Sequence, residues 1–212
     1  MKKFEILQAA RNPFQPKEIN LDENIQVLLT LEYHGTNYGG WQRQDNDLIT
    51  FPSVQGTLED AATLTCHEFS STPGDTIIMI PTSNSGGSAV IMSGTSGRTD
   101  RAVHALDQHC LLRLPFSTKV LASPSGSRLA EFLTGSAAIR FSSCASTNDP
   151  FQDSATTESS FLTTINRYLP CDIHVLTSRI VAKYQRKKLV FKRKRYRYLL
   201  QQCPDGCNRP WP

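Results

Sequence analysis

Apolar and polar residues alternate over positions 25–33. Ile25, Val27, Leu29, Leu31 and Tyr33 take every second place, with Gln26, Thr30 and Glu32 between them and Leu28 the one mismatch. A period of two predicts a half-buried strand. It runs into His34-Gly35-Thr36-Asn37-Tyr38-Gly39-Gly40-Trp41-Gln42-Arg43-Gln44, where glycines permit tight turning and two large aromatics offer flat faces. Taken alone, this loop packs Trp41 over a sheet edge; contact with a nucleotide is the functional alternative.

The pattern then changes period. Pro52-Ser53 offers a helix start with Ser53 as N-cap. Val54, Leu58, Ala61, Ala62, Leu64 and Thr65 follow helical spacing, with Gln55, Glu59 and Asp60 outside. Gly56 weakens the first turn by about 1 kcal/mol relative to alanine. Apolar runs at 76–80 and 89–92 flank a turn-forming stretch from Pro81 to Gly87 and predict a hairpin. Cys110, Leu112 and Leu114 alternate with His109, Leu111 and Arg113 as another strand. A short helical patch at 128–133 follows. Residues 142–159, rich in Ser, Thr, Ala, Asn and Asp, read as a flexible insertion. Phe161, Leu162 and Ile165 restart a helix that ends before Leu169-Pro170, and 172–176 predict a strand. Strands, a hairpin and intervening helices point to an α+β fold, a mainly antiparallel sheet with helices on one face.

Composition narrows the partners. The 212 residues suffice for one large domain or two small ones. Ten of the 23 Lys and Arg fall in residues 173–204, which contain no Asp or Glu, so 13 remain elsewhere against 19 acidic residues. One basic segment on an otherwise acidic chain suggests a local polyanion site. The cysteines, at 66, 110, 144, 171, 203 and 207, are scattered as in an intracellular protein with reduced thiols. Cys203 and Cys207 are the one close pair, and no second pair or nearby histidine completes a zinc site, so no metal is expected. No apolar run is long enough to span a bilayer, and the leader lacks the apolar core of a secretory signal. Residues 1–22, with Pro13 and Pro16, read as a poorly ordered polar leader; Glu5 and Glu18 weaken an organellar presequence. Cytoplasm, nucleus and mitochondrion stay open as compartments.

The candidate chemistry centres on Ser96-Gly97-Arg98-Thr99-Asp100-Arg101-Ala102-Val103-His104, between two predicted strands. Cations at Arg98 and Arg101 favour the charged form of Asp100. An ionised carboxylate at a turn can serve as nucleophile or base, but not as proton donor. A surface ion pair is the structural alternative. The basic segment holds Lys192-Arg193-Lys194-Arg195-Tyr196-Arg197-Tyr198. As a strand it would set Lys192, Lys194, Tyr196 and Tyr198 on one face. Charge for phosphates beside rings for bases suits RNA. A solvated charged face and a nuclear-localisation patch are the alternatives.

Together these stretches resemble the TruA family of tRNA pseudouridine synthases. The likeness lies in Tyr33 to Gln44, in Ser53-Val54-Gln55-Gly56-Thr57-Leu58-Glu59 and in Gly97-Arg98-Thr99-Asp100-Arg101-Ala102-Val103-His104-Ala105, followed by Asn166-Arg167-Tyr168-Leu169-Pro170-Cys171-Asp172-Ile173 and Lys194 to Tyr198, in the family's order. It covers residues 25–200 discontinuously, with apparent insertions near 70–88 and 140–160, inside a domain placed at 23–204 and followed by a tail at 205–212. The resemblance implies a pseudouridine synthase-like catalytic domain that isomerises uridine in tRNA without a cofactor, in or near the anticodon stem-loop. It makes Asp100 the catalytic aspartate, Arg98 the arginine that helps open the RNA and position the carboxylate, and Tyr196 the tyrosine that stacks on the target base. Arg43, Arg101, Lys192, Lys194, Arg195 and Arg197 become the RNA-binding set. Where the family usually has Ala-Gly after the aspartate, this chain has Arg101-Ala102, and alanine there is strained if the turn needs a positive φ. Family members continue past the Lys-Arg-Tyr-Arg-Tyr stretch into a second half that completes the cleft and the dimer contacts. This chain is therefore expected to be an N-terminal half, with a homodimer conditional on the rest. A catalytically inactive RNA-binding fragment is the alternative function, and a phosphate-handling enzyme is disfavoured for want of a phosphate loop.

Overall fold

A computed structural model describes residues 24–44, 51–71, 79–80, 89–122, 126–135, 159–181 and 194–197. Four strands, β1 (Asn24–Tyr33), β2 (Ile91–Thr95), β3 (Ala105–Ser117) and β4 (Ile173–Val181), form one sheet in the order β2-β3-β1-β4. Every pairing in it is antiparallel. Three helices accompany it: α1 (Val54–Ser70), α2 (Gly126–Thr134) and α3 (Ser160–Tyr168). This is the α+β architecture that the alternation predicts.

The register explains which residues form the core. Val27, Leu29 and Leu31 of β1 lie opposite Leu112, Cys110 and Gln108 of β3, and Leu31 also lies opposite Val175 of β4. Paired residues share a face, and this face is buried in one cluster with Leu58, Ala62 and Cys66 of α1, Phe132 of α2 and Ile165 of α3. Phe69 stacks on Phe132 at 4.1 Å and meets Phe116 edge-on at 5.9 Å, which ties α1, α2 and β3 together. Leu28, the mismatch in the alternation, lies on the opposite face, where it clusters with Leu111 and Val181. The helices thus occupy one side of the sheet.

The predicted Ser53 cap forms, and Ser159 caps α3 in the same way. Ser53 Oγ accepts the Gly56 amide at 3.0 Å, and Ser159 Oγ accepts that of Leu162 at 3.2 Å. The Asn166 side chain holds α3 against β4, accepting from Val175 N at 2.8 Å and donating to Val175 O at 2.9 Å.

Several expectations need correction. Leu64 is 51% exposed, because it falls on the opposite side of α1 from Leu58, Ala62 and Cys66. Glu59, expected outside, is buried, its carboxylate accepting the Met92 amide at 2.8 Å and the Gln55 side chain at 3.0 Å. Most of the hairpin expected from the 76–80 and 89–92 runs lies outside the described residues. Its described end, Ile80, donates to Pro115 of β3 at 2.8 Å, whereas β2 pairs with β3 from Ile91 onward. The expected strand through the basic segment is not seen over 194–197, which have no regular secondary structure. The leader, the tail, the 142–158 stretch and Cys203 and Cys207 lie outside the described residues. Among the described residues no helix is long and apolar enough to cross a membrane.

Candidate active site

Asp100 sits in the connection between β2 and β3, residues 96–104. The turn that leads to it is fixed from β3. The Ser96 amide donates to His109 O at 2.8 Å, and the buried Gln108 side chain donates to Gly97 O at 2.6 Å.

The other wall is the glycine-aromatic loop that follows β1. The Trp41 amide donates to Thr99 O at 2.9 Å, and the Ala102 amide to Tyr38 O at 3.4 Å. Tyr33 and Thr99 share a hydroxyl hydrogen bond at 2.7 Å. Farther along, the Gly35 amide donates to His104 Nδ1 at 3.1 Å, and the His34 and His104 rings lie 4.0 Å apart. The approach is close enough to require two of the glycines. A Cβ on Gly35 would fall 2.0 Å from Val103 O, and one on Gly40, whose φ is +116°, would fall 3.0 Å from Thr99 O.

This loop is itself tied to the start of β4. The His34 amide donates to Asp172 O at 2.8 Å, and the Tyr38 hydroxyl donates to Asp172 Oδ1 at 2.5 Å. Burial, and then the Asp172 carboxylate, push the Tyr38 phenol far above its ordinary range. Trp41 is buried in the core, as the packing alternative for this loop predicts. The loop's amides and carbonyls, not its indole, hold the Asp100 connection.

The Asp100 side chain projects from this clamp into solvent. Its flanking arginines do not pair with it. Arg98 Nη1 donates to Gln42 Oε1 at 2.8 Å, and the Arg101 guanidinium lies 4.2 Å from the Phe51 ring centroid. Among the described residues no salt bridge joins either arginine to Asp100. The expected bracketing of the carboxylate is therefore replaced by two arginines anchored on the neighbouring loop. Ala102 has a φ of +62°, so the turn does demand the left-handed region, and alanine bears the strain.

The basic segment reaches the same connection at one point. A Cβ on Gly97 would lie 3.3 Å from Lys194 Nζ. Tyr196 is 67% exposed and Arg195 and Arg197 are exposed, with no hydrogen bond or ring contact joining them to Asp100. Arg43 donates to Glu59 and Asp60, each at 3.2 Å. Lys192 lies outside the described residues. Arg98, Asp100, Arg101 and Lys194 are thus brought to one loop. Sequence reasoning missed Asp172 and Glu59, whose roles depend on partners far along the chain; the one available signal was their place in the motif stretches. Among the described residues no cluster of His, Cys, Asp and Glu is arranged to hold a metal ion.

No family model matches the chain. Curated relatives do. The chain is 40% identical over 91 residues to tRNA pseudouridine synthase A of Rhodospirillum rubrum, a match covering 43% of this chain and 24% of that protein. It is 39% identical over 82 residues to the protein of that name from Caldicellulosiruptor saccharolyticus, covering 39% and 23%. Against the one from Nitrobacter hamburgensis it is 35% identical over 125 residues, covering 54% and 41%. The chain spans about a quarter to two fifths of the length of these relatives. Such matches bear out the family resemblance carried by the motifs.

Proposed function

We propose that this chain, which carries TruA-family sequence, forms the aspartate-bearing part of a tRNA pseudouridine synthase and converts uridine to pseudouridine in or near the anticodon stem-loop. The observation that carries this reading is the interlock of the Gly35 to Trp41 loop with the Thr99 to His104 connection. Two of the stretches that resemble the family, far apart in sequence, meet on either side of Asp100 and leave its carboxylate facing outward. A functional group held on a backbone clamp rather than on a free loop keeps its position when substrate arrives.

The reaction needs few parts. The uracil leaves C1′ through N1, turns, and reattaches through C5, with no net gain or loss of atoms. The Asp100 carboxylate can attack C1′, or remove a sugar proton to give a glycal; both routes begin from the same exposed position. The target base has to leave its stack, at a cost of a few kcal/mol, and an exposed ring such as Tyr196 offers it a new stacking surface. Lys194, Arg195 and Arg197, with Lys192 beside them in sequence, supply charge for the tRNA backbone.

The test is to incubate the chain with unmodified tRNA and detect pseudouridine by a mass-shift label. Wild type should form product, and Asp100→Asn should form none while still binding tRNA. Equal product from both proteins would remove Asp100 from the mechanism. Salt-sensitive tRNA binding without product from wild type would instead establish the RNA-binding alternative.

A further inference from the structure

A groove of about 320 Å³ opens at the start of α1, lined among others by Gln42, Gln44, Phe51, Ser53 and Thr57. It adjoins the Asp100 connection through both flanking arginines, since Arg98 bonds Gln42 and Arg101 lies over Phe51. We propose that this groove receives the base of the nucleotide next to the target uridine, stacked at Phe51 and met by the Gln42 and Gln44 amides. The proposal rests on the tRNA-modifying function argued above and adds a second position at which the RNA is held.

Three observations support a base as the occupant. The platform is rigid and in fixed relation to Asp100. Gly39 N donates to Pro52 O at 2.9 Å, Val54 N to Gly40 O at 3.1 Å and Gln55 N to Trp41 O at 2.9 Å. Those bonds anchor the Phe51–Gln55 segment to the same loop whose Trp41 amide holds Thr99. The volume is at the lower end of the roughly 300–1,000 Å³ typical of small-ligand sites, which suits one nucleotide unit.

The chemistry of the walls also favours a base over a phosphate alone. Arg43, the cation that lines the groove, donates to Glu59 and Asp60, and Asp60 itself lines the opening, while Arg98 and Arg101 stand at its edge with their guanidiniums held by Gln42 and the Phe51 ring. What the groove offers is an aromatic ring, 36% exposed, and amides. Gln42 has its oxygen engaged by Arg98, which turns its NH2 into the available donor. An aromatic ring with a guanidinium over it and amides nearby stacks a base and bonds its edge.

Filter binding of unmodified tRNA to the full chain tests this, with wild type compared against Phe51→Ala, Phe51→Tyr and Gln44→Ala at several salt concentrations. Phe51→Ala should weaken binding roughly 5- to 100-fold, Phe51→Tyr should restore it, and Gln44→Ala should fall between. The slope of affinity against salt should stay constant, whereas loss of a phosphate contact would reduce it by about one. Affinity of Phe51→Ala within twofold of wild type, or a reduced salt slope, would overturn the proposal. Pseudouridine formation is measured in parallel. A wild type that binds tRNA without forming product would favour the RNA-binding alternative, and a Phe51→Ala loss of binding would then place a base in the groove without tying it to a target uridine.

Discussion

The backbone amide of Trp41 donates to the carbonyl of Thr99 at 2.9 Å, directly before Asp100. That bond, with the neighbouring Ala102 to Tyr38 contact, makes the loop after β1 and the connection between β2 and β3 a single unit. The consequences can be measured residue by residue.

Gly40 is the point of this unit where a positive φ and a close approach coincide. Its φ of +116° is disfavoured for any side chain, and a Cβ would press on Thr99 O at 3.0 Å. Gly40→Ala should cost about 1–3 kcal/mol in urea unfolding and, on the function proposed above, reduce pseudouridine formation further than that loss explains. An unfolding midpoint equal to that of wild type would show that the loop adapts without moving Asp100.

Ala102 presents the reverse case. It is exposed and holds a φ of +62°, so its methyl group contributes strain and no burial. Ala102→Gly should raise stability by about 1 kcal/mol, read as a higher urea midpoint. A lower midpoint would mean that the added freedom of the unfolded chain outweighs the relief.

His104 links this unit to pH. Its Nδ1 accepts the Gly35 amide and must be unprotonated to do so. Burial, and then the neighbouring His34, hold its pKa below the ordinary imidazole range. A folded pKa below the unfolded value of about 6.5 gives stability that is full above that pH and lost as pH falls through the folded value. Wild type should therefore lose more stability between pH 7 and pH 5 than His104→Gln. Equal losses in both proteins would assign the acid sensitivity elsewhere.

Glu59 joins the loop to β2 from inside the protein. It is 6% exposed and accepts from Arg43, Gln55 and the Met92 amide. Glu59→Ala leaves the Met92 donor without its partner and should cost about 1–3 kcal/mol, measured by thermal or chemical unfolding. Glu59→Gln keeps an acceptor for Met92 and should cost less.

Local pattern determined much of this protein. Alternation located β1 and β3, helical spacing located all three helices, and Ser53 and its neighbours marked where α1 starts. These are properties of a few adjacent residues, and such properties survive in a linear reading. The motif stretches likewise carried the resemblance that the curated relatives bear out.

Tertiary structure decided the rest. Leu64 and Glu59 exchanged their expected environments because burial depends on which face of α1 meets the sheet. Arg98 and Arg101 stand beside Asp100 in sequence, yet their guanidinium groups are held by Gln42 and Phe51, for a long side chain reaches whatever the fold brings near. The glycines at 35 and 40 could be read as turn formers from sequence alone. Only the folded chain brings the backbone of 99–103 so close that a Cβ at 35 would clash and one at 40, already at a strained φ, would press on Thr99 O beside Asp100.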